Sequence, residues 1–462
     1  MDLFCQTRRR NDGVGSGDMD YCVASLENNA IDKKKEVPMK KISLLCVLMF
    51  SCNAWGNVYS ALQSVYDTNP IINAQRSNLD KAAADVRATV SEFQPYLGLL
   101  GNVGAARTKI AGETFDYSPL QYGAEFQQNI FQGGANFAQY KSAKGLFYAQ
   151  QARLYATQQD VFMSAINAYI EVLNAKQVLE LNENNHRVLT EYYNFVCDGM
   201  RVGRLTKTDV AQASARLEMA QFHVVDARAK YENSMETIQR IYGNTDIVFS
   251  DIDLGRVKKL FPESIQVAED NALKNHPMLI ALNEQENAIS QNIISSYKSI
   301  LPSVDVRGSF QQIDDVPYLD KIRDGRIGVY LKIPLYDKGY AFASADKVRA
   351  SVSGIQDDII NARRTIVENL HMAWNIYESQ EYAINATLAS VNANKTALAG
   401  IRDEQQRGRR TVLDVLNAEQ ELLNSRVAHT RAKHARIAAF FAVLAAVGDL
   451  TPENLGLDIS EK

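Results

Sequence analysis

The sequence predicts an α+β protein built from one unit written twice, each copy running helix, strand, strand, long helix, turn, helix. Two observations predict it. Motifs of the first half return in the same order in the second, at offsets of 205 to 207 residues. In each half, short stretches of period two are followed by long proline-free stretches of heptad-like spacing. Composition agrees with a packed chain: 462 residues, 46% apolar, 23% charged and 10 prolines exclude a disordered or collagenous protein. Length alone allows two or three soluble domains.

The repeat is carried by five anchors. Asn69-Pro70 matches His276-Pro277, and Gln94-Pro95-Tyr96 matches Leu301-Pro302-Ser303. Phe131-Gln132-Gly133-Gly134 matches Tyr336-Asp337-Lys338-Gly339. Gly203-Arg204-Leu205-Thr206, followed by Asp209-Val210, matches Gly408-Arg409-Arg410-Thr411, followed by Asp414-Val415. Gly243 matches Gly448. The repeats are expected to span residues 57–255 and 256–462.

Upstream of them, Met39-Lys40-Lys41, the apolar run Ile42 to Phe50 and Ala54-Trp55-Gly56 read as a secretory signal peptide over residues 39–56. Residues 1–38 then read as an upstream extension. Cys52 follows the apolar run, but Met49 and Phe50 fit lipid attachment poorly. Cleavage after Gly56 removes Cys5, Cys22, Cys46 and Cys52 and leaves Cys197, so the mature chain forms no internal disulfide. It also takes 8 basic and 7 acidic residues from the 50 and 54, leaving 42 and 47 and a net charge of −5. No basic excess points to nucleic acid, and no run of 18 apolar residues forms an ordinary transmembrane helix.

The elements follow in order. A helical stretch runs from about Tyr59 to Glu92 until Pro95 stops it. Tyr96 to Ala106 is apolar but glycine-rich and makes the weakest strand. In Leu120 to Phe131, Tyr122, Ala124 and Phe126 oppose Gln121, Gly123, Glu125 and Gln127. In the second copy Val304, Val306, Gly308 and Phe310 oppose Ser303, Asp305, Arg307 and Ser309. There too Ile327, Val329, Leu331 and Ile333 oppose Arg326, Gly328, Tyr330 and Lys332. Arg107 to Pro119 and Gln311 to Gly325 are polar and read as surface loops. Taken alone, such strands favour a soluble sheet over a membrane barrel with lipid on one side and water on the other.

The helices shift that balance. Asn136 to Phe195 contains no proline and one glycine, Gly145, and some sixty helical residues reach about 90 Å. Phe162, Ile166, Tyr169 and Leu173 form a coiled-coil seam, repeated by Ile366, Leu370, Ala373 and Tyr377. Val210, Ala213, Leu217, Ala220 and Val224 continue a stripe beyond the turn. Four strands leave two open edges, which a bilayer does not permit. A chain whose strands span a membrane must therefore oligomerise, with 8 strands from two copies or 12 from three.

Signal, duplication, paired strands and long helices ending at a glycine turn together resemble the TolC-like outer-membrane channels of efflux and type I secretion, over about Asn57 to Asp458. The most specific segments are Arg201-Val202-Gly203-Arg204-Leu205-Thr206-Lys207-Thr208-Asp209-Val210 and Gln406-Arg407-Gly408-Arg409-Arg410-Thr411-Val412-Leu413-Asp414-Val415-Leu416-Asn417-Ala418. The resemblance implies a homotrimer in the bacterial outer membrane. Each chain would give four transmembrane β-strands to a 12-stranded barrel and long periplasmic coiled-coil helices to a 12-helix tunnel. The segments near Asn57 to Ala74, Thr245 to Pro262 and the C-terminus would form a band around the tunnel.

The turns would lie at the periplasmic tip. Val202, Gly203, Arg204, Leu205, Gly408 and Arg409 would dock a periplasmic adaptor (membrane fusion) protein. An inner-membrane ABC or proton-driven transporter would supply the energy. Thr208, Asp209, Arg410, Asp414 and Asn417 would form the periplasmic gate. Arg410 would reach Thr208 and Asp209, a bidentate pairing whose small worth in water suits a latch. Asp414 would give an acidic ring, and Asn417 departs from an acid at the second ring position. Helix-start capping explains the same residue types.

Cys197 reads as a buried small apolar residue. The six histidines, His186, His223, His276, His371, His429 and His434, are scattered and suggest no metal site. No metalloprotease, nucleophile-elbow or phosphate-loop motif points to an enzyme, and no cofactor is implied. A periplasmic coiled-coil adaptor or scaffold is the alternative. It explains the heptads but not the four strands at matched places.

Overall fold

A computed structural model describes residues 58–243 and 247–459. The expected signal peptide, the upstream extension and Cys52 lie outside the described residues. The first helical stretch is two helices, α1 (Val58–Thr68) and α2 (Pro70–Ser91). The break falls at the first repeat anchor, because the residue before a proline avoids the α region and Pro70 suits the first helical turn. Asn69 sits there extended, and its Oδ1 accepts from the Ile71 N–H at 2.9 Å. In the second copy α5 (Ile265–Asn275) and α6 (Pro277–Ser296) break likewise at His276-Pro277.

The principal sheet holds β1 (Tyr96–Val103), β4 (Leu120–Gln132), β5 (Ser303–Val316) and β6 (Leu319–Lys332), antiparallel in the order β1-β4-β5-β6. Register sorts its faces. Leu97, Phe126, Gly308 and Ile327 lie in one row across the sheet, and Leu99, Ala124, Phe310 and Gly325 in another. Val306 pairs with Val329 on that same face. Leu99 is 90% exposed and Ile327 82%. The opposite face carries Glu125, Asp305, Arg307 and Arg326, with Asn129 Nδ2 donating to Asp305 at 3.0 Å. One face is thus bare and apolar, and the outer edges of β1 and β6 have no strand beside them in the described chain.

Both expected loops are largely strand. Arg107 to Pro119 contains a hairpin, β2 (Ala106–Ile110) and β3 (Glu113–Tyr117), stapled by Arg107 Nη2 to Asp116 Oδ2 at 2.9 Å. Gln311 to Gly325 belongs to β5 and β6, which meet at a tight turn. Alternation read from apolar residues misses these segments because charged and amide side chains dominate both faces, although Ile313 pairs with Ile322. Gln121 Nε2 donates to Gln311 Oε1 at 2.8 Å, and Arg323 Nε donates to Gln312 Oε1 at 3.0 Å. The Tyr318 ring closes the turn against Phe115, centroids 4.5 Å apart. β1 stops at Val103, short of Ala106, and β6 at Lys332, short of Ile333.

The long helices repeat in length. α3 (Ala135–Arg201) and α7 (Tyr340–Gln406) have 67 residues each, and α4 (Lys207–Tyr242) and α8 (Val412–Val447) have 36 each. At 1.5 Å per residue α3 and α7 are about 100 Å long. Among the described residues no helix is long and apolar enough to cross a membrane.

The expected seams are largely buried, with Tyr377, Val210 and Leu217 half-buried. Phe162, Ile166 and Tyr169 of α3 are fully enclosed, as are Leu370 of α7 and, nearly so, Ala213 and Ala220 of α4. The largest core gathers Val58, Leu62 and Val65 of α1 with Ile252, Val257, Leu450 and Leu455 around α3, α4 and Phe441 of α8. The three segments named for the band thus converge, and both repeats share this core. Tyr169 Oη fixes the linker by accepting from Ser250 N–H at 2.8 Å and donating to its carbonyl at 3.1 Å.

Candidate functional site

The two helical hairpins end in turns of one design. α3 closes over Val202 and α7 over Arg407, and Gly203 and Gly408 both adopt φ +74°, a conformation that costs a residue with a Cβ. Arg204 N–H then returns to the Gly199 carbonyl and Arg409 N–H to the Glu404 carbonyl, each at 2.9 Å. The next helix starts on a capping box in both copies. Thr206 Oγ1 accepts from Asp209 N–H at 3.2 Å, and Asp209 Oδ2 accepts from Thr206 N–H at 2.8 Å. Thr411 and Asp414 do the same at 3.2 and 2.9 Å.

Those contacts place the residues singled out from the sequence. Val202, Gly203, Arg204, Gly408 and Arg409 are exposed on the turns, while Leu205 folds half-buried against Gly199. Thr208 is exposed on the first turn of α4. The Thr411 amide and hydroxyl, with the Arg410 charge nearby, hold the Asp414 carboxyl below the usual carboxylate range. Within one chain Arg410 does not reach Asp209. Its Nε donates to Glu404 Oε2 at 2.8 Å, and Asp209 is held by Thr206. A latch between them therefore requires a neighbouring copy.

Asn417 lies one turn beyond Asp414, and its Oδ1 accepts from Arg216 Nη2 of α4 at 2.9 Å. Beneath this bond an apolar joint packs Leu189 and Val196 of α3, Ala213 and Ala220 of α4, and Val412 and Leu416 of α8. Beside it Leu398, Val415 and Leu422 enclose a second cluster against which Tyr192 packs. Glu419 is buried there and pairs with Arg402. The Tyr192 hydroxyl is buried without a hydrogen-bond partner, and burial pushes its phenol up to about 12.

Sequence reasoning missed Arg216, Glu404, Arg402, Glu419 and Tyr192. Glu404 stands six residues before Arg410 across a turn already identified, so the turn geometry could have found it. Arg216 carries no such signal, because a single helix does not say which helix crosses it. Cys197 was expected buried and is half-buried, one helical turn from Tyr193, because the wall of α3 at this level is only partly covered. Among the described residues no cluster of three histidine, cysteine or carboxylate side chains forms a metal site. His276 caps α6, His434 Nε2 lies 3.2 Å from Gln177 Oε1, and His371 lies 3.3 Å from Glu269.

Comparison with known proteins places these features in a family. The outer membrane efflux protein family model matches residues 61–244 and 269–449, one match in each repeat. The chain is 26% identical over 405 residues to the outer membrane efflux protein BepC of Brucella suis, covering 87% of each. It is 21% identical over 356 residues to the outer membrane protein TolC of Escherichia coli, covering 73% of this chain and 70% of that one. Its fold superposes on the Campylobacter jejuni CmeC outer membrane channel with a TM-score of 0.77 at 17% identity, covering 87% and 90%.

Proposed function

This chain belongs to the outer membrane efflux protein family, and on that premise we propose that three copies assemble into a duct gated at the hairpin tips. The chain is an outer-membrane exit channel of the efflux and type I secretion kind, with a periplasmic helical extension, and it is not an enzyme. Family membership sets aside the periplasmic adaptor or scaffold as a reading.

The observation that carries the trimer is the sheet. It has one bare apolar face and two unpaired edges, at β1 and β6. Unpaired backbone groups are not tolerated in hydrocarbon. Pairing β1 of one copy with β6 of the next closes 12 strands without an edge and lays Leu97, Leu99, Val306, Ile327 and Val329 against outer-membrane lipid. From Val304 to Phe310 the apolar side of β5 runs about 20 Å along the strand.

The tips are the gate. Asp414 lies on the first turn of α8, and three copies form a ring of carboxylates there. Arg410 of each copy lies beside the α4 start of the next, within reach of its Thr208 and Asp209. The exposed turn residues Val202, Gly203, Arg204, Gly408 and Arg409, with the half-buried Leu205, receive a periplasmic adaptor, and an inner-membrane ABC or proton-driven transporter supplies the energy. Residues 57–255 and 256–462 are the two structural repeats, and residues 39–56 the export signal.

The mass of the protein extracted by detergent from an outer-membrane fraction tests the assembly. A trimer is expected, and a soluble periplasmic monomer would overturn it.

A further inference from the structure

Among the described residues, one side-chain hydrogen bond joins α4 to α8. It runs from Arg216 Nη2 to Asn417 Oδ1 at 2.9 Å. Near the tip the two helices also share the small apolar joint of Ala213, Ala220, Val412 and Leu416, and at their far ends both enter the largest core. The partners belong to different hairpins, so the bond spans the seam along which one hairpin must swing from the other if the tip opens. Arg228, three turns higher on α4, makes its pair with Glu183 of α3, inside one hairpin.

Asn417 follows Asp414 by three residues, so both lie on one face of α8. At Asn417 an amide, not a carboxylate, is exposed, and it holds a guanidinium. Each copy thus sets one positive charge a turn away from its Asp414.

We infer that Arg216 is a gate-positioning residue, which clasps the two hairpins of one protomer in the closed tip through Asn417 and sets a positive charge beside the Asp414 ring. This rests on the gated-tip reading. The bond is charge-assisted but partly solvated, which puts it near the upper end for exposed pairs. Its loss therefore changes the open-to-closed ratio about fivefold per protomer. A binding partner can supply that much, which lets the clasp yield to docking.

The sign of the effect at Asn417 depends on Arg216. With the guanidinium present, a carboxylate at 417 makes a full ion pair and tightens the clasp. Without it, the same carboxylate stands beside Asp414 and its copies, and repulsion loosens the tip.

The test is the conductance of the purified full-length channel in planar lipid bilayers, with thermal unfolding followed in parallel. Arg216→Ala is expected to raise conductance without lowering the unfolding temperature appreciably, and Arg228→Ala to leave conductance unchanged. Asn417→Asp is expected to lower conductance in the parent and to raise it in the Arg216→Ala background. Arg410→Ala serves as the reference for the gate itself. Conductance unchanged by Arg216→Ala while Arg410→Ala opens the channel overturns the clasp alone. So does an Asn417→Asp effect of the same sign in both backgrounds, or an equal opening by Arg228→Ala. Silence of both Arg216→Ala and Arg410→Ala overturns the gated-tip reading and the clasp with it.

Discussion

Asn69 and His276 hold the same place in the two repeats and do the same work with different chemistry. Asn69 Oδ1 accepts from the Ile71 N–H at 2.9 Å, and His276 Nδ1 accepts from the Met278 N–H at 3.2 Å. Each caps a helix that begins with proline. An amide accepts at any pH, whereas an imidazole nitrogen accepts only while unprotonated. One repeat therefore carries a titratable cap and the other does not.

Burial lowers the His276 pKa to about 4 from its ordinary 6.5. Above pH 6.5 the ring is neutral folded or unfolded, and the stabilisation is complete. As pH falls from 6.5 to 4 the unfolded chain takes up a proton that the folded chain refuses, and stability declines by about 2–3 kcal/mol. His276→Asn is expected to keep the cap and to remove this share of the acid sensitivity. Unfolding of both proteins in detergent at pH 7.5 and pH 5 checks it. An equal loss in the two proteins would mean that the His276 ring does not report on folding.

Arg410→Ala is expected to raise pore conductance and the cell's sensitivity to antibiotics that an open duct admits. It frees Glu404 in its own chain and removes the guanidinium that we place between copies. Asp209→Ala is expected to act in the same direction, with an added loss of about 1 kcal/mol from the capping box. Asp209→Asn separates the two, since an amide still accepts at the cap but offers no charge to a neighbour. Single-channel recordings of the three variants measure this, and wild-type conductance in both alanine variants would remove the latch.

Val306→Asp and Val329→Asp are expected to block assembly. These residues pair directly across β5 and β6 on the apolar face. A carboxylate there faces hydrocarbon in every copy, at a cost of about 2 kcal/mol each. Trimer yield in the outer membrane is the readout. The control Ser309→Asp, on the opposite face of the same strand and paired with Arg326, is expected to assemble normally.

Phe162→Ala is expected to destabilise the fold by about 3–5 kcal/mol. The ring is fully enclosed where α1, the 247–262 linker and the C-terminal segment meet around α3. Denaturant titration should show this loss with little change in the exposed tip contacts. A loss below 1 kcal/mol would mean that the band does not depend on α3.

Much of this architecture is legible in the sequence because local chemistry dictates it. Glycine with Thr and Asp at fixed spacing forces a turn and then a capping box, and the chain does so twice, at Gly203 and Gly408. Heptad spacing marks Phe162, Ile166, Tyr169 and Leu370 as seams because a helix presents one stripe to its partner. The strands were legible where lipid demands alternation, at Val304 to Phe310 and Ile327 to Leu331. Where β5 and β6 run on beyond Gln311 and Gly325, polar side chains dominate both faces, and the Ile313–Ile322 pair is too short an apolar row to set a period. Period two has nothing to show there.

By itself, then, the sequence determined the duplication, the long helices, the apolar strands, the paired tips and the family. Apart from the duplication, a match between distant segments, each of these follows from residues close together in the chain, whose backbone conformations and periodicities are local. Only the tertiary structure decided which side chains meet. It brought Arg216 of one hairpin to Asn417 of the other and enclosed Glu419 with Arg402. Such pairings depend on how two long helices cross, and a shift of one residue in that crossing turns a side chain by about 100°. No spacing within a single helix records it.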